Sequence, residues 1–144
     1  HNSEMRKLES EYDLAIQNAL KPYIEYVVNP GSSAFNTKQF IPARYMYEYN
    51  RFKKDSLLLQ LALHAYKLEK GKYPNKLDDL LSGYLKKIPQ DRFARKTQYI
   101  YRPNGMSYLL YSIGPDGIDD GGEQVSMSRH QPGMNFKGDF VVRN

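Results

Sequence analysis

Four carboxylates lie close together in a chain that is otherwise basic, with a formal net charge of +5. They are Asp116, Asp119, Asp120 and Glu123, and they fall within eight residues. Carboxylates mixed with loop carbonyls are the hard oxygen ligands that calcium prefers, and paired carboxylates can also act as general acid and base. The spacing differs from the EF-hand pattern. The residues alone leave three interpretations open: a cation site, an acid/base pair and a solvated turn.

The residues before this cluster predict a strand, and this strand would fix the position of the cluster. Apolar and aromatic residues alternate with period two over Tyr108 to Ile113. Gly114, Pro115 and Gly117 then prevent the strand from continuing, because all three favour turns. We call the segment from Gly114 to Glu123 the acidic loop.

Two further strands are predicted beside this one. Thr97 to Arg102 pairs with Ser107 to Ile113 through Pro103-Asn104-Gly105, since Asn-Gly is a strong hairpin signal. Asp139 to Arg143, with the sequence DFVVR, then forms a last strand beside the hairpin. The three strands predict a small antiparallel sheet.

Two long helices are predicted ahead of the sheet. The first runs from Ser3 to about Val28, where Asn29-Pro30-Gly31 ends it. The second runs from Ala43 to Glu69, and its centre, Leu57 to Leu63, is apolar nearly all round. We therefore expect the second helix to be the buried spine of the domain, so that truncating Leu61 in this centre destabilises the fold.

A short helix is predicted from Leu77 to Leu81, with Asp78 and Asp79 near its positive N-terminal end. The order of elements, helices first and then a small antiparallel sheet, is that of an α+β fold. The length of 144 residues fits a single domain spanning residues 1–144.

Composition excludes several classes of site. Cysteine is absent, so there are no disulfides, no thiol nucleophile and no thiolate zinc site. The three histidines include no HxxxH pair that would suggest zinc. No apolar run approaches the roughly 18 residues that a membrane helix needs, and the polar first residues are not a signal peptide.

Catalysis and nucleic-acid binding are alternatives that few features of the sequence support. Asp119 and Asp120 could serve a hydrolase, but no phosphate loop or nucleophile motif accompanies them. Aromatic residues on a sheet can stack bases, and tyrosines recur along both hairpin strands. Their alternation instead places at least half of them inside the fold.

Four motifs follow one another in the order and spacing of a known family. LHAYKLEKGKYP at residues 63–74 ends a helix, and YLKKIPQDRF at residues 84–93 forms a link. YSIGPDGIDDGG at residues 111–122 contains most of the acidic loop, and DFVV at residues 139–142 closes the sheet. Together they resemble the head domain of the major pseudopilins of type II secretion, over residues 57–144.

This resemblance implies a pilin-like head whose acidic loop binds calcium, which steadies the head for assembly. Asp116 matches the family's ligand directly, and the carbonyl of Ile113 lies just before it. The later ligand falls among Asp119, Asp120 and Glu123. Calcium is therefore the one cofactor that the resemblance implies.

The chain departs from the family pattern ahead of the head domain. Residues 1–41 have no counterpart in pseudopilins, which enter the head on one long helix. Pro30-Gly31 and Pro42 would break such a helix, and Arg92 replaces a proline that is usual in the link. A pseudopilin-like head joined to a different protein accounts for these departures.

The leading hypothesis is a non-enzymatic, pseudopilin-like assembly or interaction module outside the cytoplasm, anchored to a membrane through sequence beyond this chain. The expected partners are other proteins or copies of itself, rather than nucleic acid or a small-molecule substrate. Two alternatives from other classes stay open. One is a calcium-stabilised extracellular domain that binds a glycan or peptide, and the other is a hydrolase that uses Asp119 or Asp120.

Overall fold

The protein is represented by a computed structural model, which describes residues 2–21, 23, 25, 40–94, 98–124 and 137–142. These ranges contain two α-helices, α1 (Asn2–Leu20) and α2 (Ile41–Lys70), and a 3-10 helix (Leu77–Ser82). They also contain three strands, β1 (Ile100–Asn104), β2 (Ser107–Ser112) and β3 (Phe140–Val142). The strands form an antiparallel sheet in the order β1-β2-β3. The predicted α+β class is confirmed.

Local signals at both ends define α2, which is 30 residues long and so extends about 45 Å. Pro42 lies in its first turn, where a helix does not need the missing backbone N–H. Gly71 follows its last turn with a φ of +76°, and its N–H donates to the carbonyl of Lys67 at 2.8 Å. Glycine adopts this left-handed conformation without a steric penalty, so the helix ends there.

Burial follows one face of α2 and not its whole circumference. The buried positions recur at spacings of three and four: Tyr45, Glu48, Phe52, Asp55, Ser56, Leu59, Ala62 and Leu63. By contrast, Leu57, Leu58 and Leu61 are 56%, 42% and 62% exposed. The expectation of a spine buried nearly all round, with Leu61 inside, is therefore wrong. The core partners of α2 in the described residues come from the 3-10 helix, the three-stranded sheet and the aromatic residues Tyr23, Tyr73, Phe93 and Tyr99, which cover a single face.

The β1–β2 hairpin has the predicted strands with a slightly shifted turn. Asn104 pairs with Ser107, so the turn consists of Gly105 and Met106 and not of Pro103-Asn104-Gly105. Gly105 has a φ of +58°, a conformation that side chains with a Cβ rarely adopt. The Asn-Gly signal thus locates the hairpin correctly and misplaces its turn by one residue.

The last strand also lies where the sequence predicts it. Leu110 pairs with Val142, and Ser112 pairs with Phe140, in antiparallel register. The end of the predicted strand at Arg143 lies outside the described residues. β2 is therefore the central strand of the sheet, with a neighbour on each edge.

Aromatic rings join the inner face of the sheet to α2. Phe140 of β3 lies 5.1 Å from Phe52 of α2 and 5.2 Å from Phe93, measured between ring centroids. Tyr73 meets Tyr108 of β2 edge to face at 4.8 Å. Aromatic pairs at such distances contribute about 0.5–1.5 kcal/mol each beyond the area they bury. The core is therefore centred between one face of α2 and the sheet.

The hairpin tyrosines are withdrawn from solvent, as the alternation predicts for at least half of them. Tyr99, Tyr108 and Tyr111 are buried, at 4%, 5% and 0% exposure. Tyr101 is half-buried and donates its hydroxyl to the carbonyl of Pro74 at 2.9 Å. Rings in these positions support the fold and do not form a platform for stacking bases.

Asp79 closes the N-terminus of the 3-10 helix. Its Oδ2 accepts hydrogen bonds from the backbone N–H groups of Asn75 at 3.1 Å and Lys76 at 3.2 Å. Asp78 is exposed, whereas Asp79 is half-buried. Both carboxylates lie in the first turn of this helix, as predicted.

Among the described residues after α1, Tyr23 joins the core. Tyr23 is fully buried, and its N–H donates to the carbonyl of Arg92 at 3.0 Å. On α1 itself, Leu8 and Tyr12 are 53% and 64% exposed. The predicted end of the first helix, at Asn29-Pro30-Gly31, lies outside the described residues.

One-sided burial of α2 predicts opposite outcomes for two neighbouring leucines. Leu59 is fully buried, so Leu59→Ala should lower the free energy of unfolding by about 2–5 kcal/mol. Leu61 is 62% exposed, so Leu61→Ala should cost less than about 1 kcal/mol. Urea denaturation of both variants measures the difference. Equal losses would contradict the orientation of α2 described above.

Candidate functional site

Asp91 anchors the base of the acidic loop. It is 4% exposed, and its Oδ1 accepts hydrogen bonds from the Phe93 N–H at 3.0 Å and the Ser112 hydroxyl at 2.9 Å. Its Oδ2 accepts a hydrogen bond from the N–H of Ile113 at 3.3 Å. Burial outweighs these hydrogen bonds and raises the pKa of Asp91 to about 6. The link after the 3-10 helix is thereby tied to the end of β2, where the acidic loop begins.

The first turn of the acidic loop packs closely against the segment that precedes β3. Gly114 has a φ of +70°, and a Cβ at this position would lie 2.5 Å from the carbonyl oxygen of Gly138. Both the backbone conformation and the lack of space require glycine here. The loop therefore crosses directly beside residue 138.

Asp116, the best-matched ligand in the sequence, has one satisfied and one unsatisfied carboxylate oxygen. Its Oδ1 accepts a hydrogen bond from the N–H of Ile118 at 3.1 Å. Its Oδ2 is buried and has no hydrogen-bond partner. Burial, with the nearby charge of Asp120, raises the pKa of Asp116. An unpartnered buried carboxylate oxygen is energetically costly unless a cation or water satisfies it.

Asp119 serves the loop as a hydrogen-bond acceptor. Its Oδ1 accepts from the hydroxyl of Tyr111 and from the N–H of Gly121, each at 2.9 Å. Burial and this carboxylate together raise the pKa of Tyr111 to about 12. Arg102 lies 4.0 Å from the other oxygen in an exposed ion pair, which contributes little. Asp119 thus folds the loop back over the outer face of the sheet.

Two reciprocal hydrogen bonds join the acidic loop to the beginning of β3. The N–H of Gly138 donates to Oδ2 of Asp120 at 3.1 Å, and the N–H of Gly122 donates to Oδ2 of Asp139 at 2.7 Å. Asp139 is fully buried, its Oδ1 has no partner, and burial raises its pKa. Like Asp91, Asp139 is a carboxylate that the sequence pattern did not single out. The one sequence feature that could have indicated its role is its position as a charged residue directly before an apolar strand.

The predicted ligands share one loop but do not converge on one point. Glu123 is exposed, and it bonds to Asp120 and Asp139 through its backbone. Ile113 is held through its N–H by Asp91. Across the described residues, no group of three or more acidic or imidazole side chains is arranged to hold a metal ion. The metal site stays a prediction, which the free oxygens of Asp116 and Asp139 support chemically.

The order of these elements can now be compared with known proteins. A family model described as type II secretion system protein G matches residues 48–128, more than half of the chain. The chain belongs to this major-pseudopilin family. The matched pseudopilin region begins in α2 and includes the 3-10 helix, the hairpin and the acidic loop. Comparison with curated proteins and with solved structures finds no match.

Membership in the pseudopilin family indicates a structural role in assembly. Proteins of this family act outside the cytoplasm and are usually anchored in the inner membrane. None of the helices in the described part of this pseudopilin is long and apolar enough to cross a bilayer.

The burial of Asp91 predicts a pH-dependent contribution to the stability of the pseudopilin domain. Because its folded pKa is about 6 and the unfolded value is about 3.8, the folded state binds the proton more tightly. The resulting stabilisation is complete below pH of about 4 and is lost as the pH rises through about 6, a difference of about 3 kcal/mol. Asp91→Asn should therefore reduce the fall in stability over this pH interval.

Urea denaturation at several pH values tests this prediction. Asp78→Asn, which removes an exposed carboxylate from the 3-10 helix, is the matched control. The other buried carboxylates are common to all three proteins, so the difference between pH profiles isolates Asp91. An Asp91→Asn profile parallel to that of the unaltered protein would contradict the assignment.

Proposed function

We propose that this chain is a non-enzymatic assembly module that works outside the cytoplasm and packs against other copies of itself through α2. In this proposal, its membrane anchor lies in sequence beyond the chain. The observation that carries the proposal is the exposed apolar stripe on α2. It consists of Leu57, Leu61, Ala65 and Leu68.

The stripe lies opposite the face that α2 uses for its own core. Its residues recur at spacings of three and four, which aligns them along the helix. Leu61 and Leu68 are 62% and 88% exposed. A shallow groove of about 360 Å³ runs beside them, between α2 and the segment from Gly83 to Leu85. Covering one such leucine stabilises a contact by about 1.5–3 kcal/mol, so a second copy that covers several makes a specific interface.

Sedimentation velocity tests whether the stripe carries self-association. Leu61→Gln should weaken association by roughly tenfold, because a buried leucine contributes more than 1.4 kcal/mol to an interface. Ile118→Gln is the matched control, since Ile118 is 57% exposed in the acidic loop and lies outside α2. Equal weakening in both variants, or a protein that stays monomeric into the millimolar range, would overturn the assembly surface.

Calcium binding at the acidic loop is the second part of the proposal. Asp116 and Asp139 would hold the ion, because each has a buried oxygen without a partner. Gly138, which directly precedes Asp139, is close enough to Asp116 to affect the pKa of its carboxyl, and this supports a shared site. Calcium supplies the positive charge that two such oxygens lack, and it accepts loop carbonyls as further ligands.

Calcium removal should therefore lower the melting temperature. At 100-fold excess over its Kd, calcium stabilises a protein by about 2.7 kcal/mol, or roughly 10 °C for a domain of this size. Asp116→Asn should abolish the difference between calcium and chelator, whereas Asp13→Asn on exposed α1 should preserve it. Melting that is indifferent to calcium in the unaltered protein would count against the site.

The remaining hypotheses from the sequence have no separate observation in their favour. The acidic-loop carboxylates Asp119 and Asp120 are exposed and are engaged by Tyr111, Gly121 and Gly138. These contacts give them a role in holding the loop, so a hydrolase is not proposed. Binding of a glycan or peptide stays a prediction.

A further inference from the structure

A second region of interest lies away from the acidic loop, between α2 and the link that follows the 3-10 helix. Here the two segments enclose a cleft of about 690 Å³. Its charged lining consists of Arg51, Lys54, Lys87, Arg92 and a single carboxylate, Asp55. Clefts of this size accommodate small organic ligands.

The cationic side chains are incompletely neutralised within the cleft. Arg92 pairs with Glu48 only at long range, 3.9 Å from its Nε, and 36% of the Arg92 side chain is exposed. Among the described residues, Lys54 and Lys87 make no ion pair with a carboxylate. The cleft therefore presents positive charge that an anion could satisfy.

The one carboxylate in the cleft wall is buried and hydrogen-bonded. Asp55 is 9% exposed, and its Oδ2 faces the hydroxyl of Tyr99 at 3.4 Å. Burial raises the pKa of Asp55, and the nearby charges of Arg51, Lys54 and Arg92 act in the opposite direction. The solvent-facing charge of the cleft is accordingly dominated by its arginine and lysine residues.

One part of the cleft is apolar. Leu58 of α2 faces the cleft together with Ile88 and Pro89 of the link. These residues are partly exposed, and Leu58 retains 42% of its accessible surface. A ligand with only a charged group would leave this wall uncovered, whereas an attached hydrocarbon would cover it.

We propose that this cleft binds an organic anion, with a phosphate or carboxylate group held by Lys54, Lys87 and Arg92 and an apolar portion packed on Leu58 and Ile88. Arginine and lysine favour such groups because their N–H donors make charge-assisted hydrogen bonds. The cleft shares Leu58 with the groove beside the stripe, but its charged residues lie outside that groove. The site therefore adds a ligand to the assembly function and does not depend on it.

Hexyl phosphate is a suitable probe, since it combines both chemical features and stays soluble. Titrations followed by backbone amide NMR should show saturable shifts at Lys87, Gln90 and Arg92. Inorganic phosphate should bind more weakly because it leaves the apolar wall uncovered, and neutral hexanol should cause no saturable shift there.

Two adjacent lysines provide a matched pair of variants. Lys87 lines the cleft, whereas Lys86 is exposed beside it and does not. Lys87→Gln should weaken hexyl phosphate binding by roughly tenfold, as expected for loss of a charge-assisted hydrogen bond. Lys86→Gln carries the same change in net charge and should leave the affinity unchanged. Equal effects of the two substitutions, or no saturable shift with hexyl phosphate, would overturn the proposal.

Vesicles identify the source of the anionic group. If phosphatidylglycerol vesicles displace hexyl phosphate and phosphatidylcholine vesicles do not, the natural ligand is a membrane lipid. If neither kind of vesicle displaces it, the ligand is a soluble organic anion. Both outcomes are consistent with the proposed site, because each requires that hexyl phosphate binding depends on Lys87.

Discussion

The structure depends on the burial of a single face of α2. The hairpin, β3, the 3-10 helix and Tyr23 all contribute side chains to the cluster that covers this face. A three-stranded sheet is too small to surround a helix of 30 residues, so the opposite face keeps its leucines in solvent. The same constraint therefore produces the core, the stripe proposed for assembly and one wall of the cationic cleft.

The buried face of α2 carries charge as well as apolar side chains. Glu48 is 1% exposed and pairs with Arg44 at 2.7 Å, one turn earlier. An isolated buried carboxylate would destabilise the fold, and the pairing offsets that cost without guaranteeing a net gain. Arg44 lies on the same helix and would stay paired if α2 rotated, whereas the contact of Glu48 with Arg92 of the link would be lost.

Local chemistry made much of the fold predictable from the sequence, and tertiary packing decided the rest. Gly71 favours the end of a helix and the Asn104-Gly105 pair favours a hairpin turn, because of their own backbone preferences. The end of α2 and the position of the hairpin could therefore be predicted. Leu61 was misplaced because an all-round apolar pattern does not specify which side meets the sheet. Asp139 escaped notice because its burial results from contact with the distant Gly122.

The reciprocal hydrogen bonds between the acidic loop and the start of β3 couple any opening of the loop to the packing of the core. Gly122 and Gly138 each donate to a carboxylate on the other segment, while Phe140, two residues after Gly138, packs on Phe52. The loop cannot lift from the sheet without releasing both bonds and loosening the strand that holds this ring. We therefore expect this glycine-rich surface loop to open together with the strand that holds Phe140, as part of the same cooperative unit as the aromatic core.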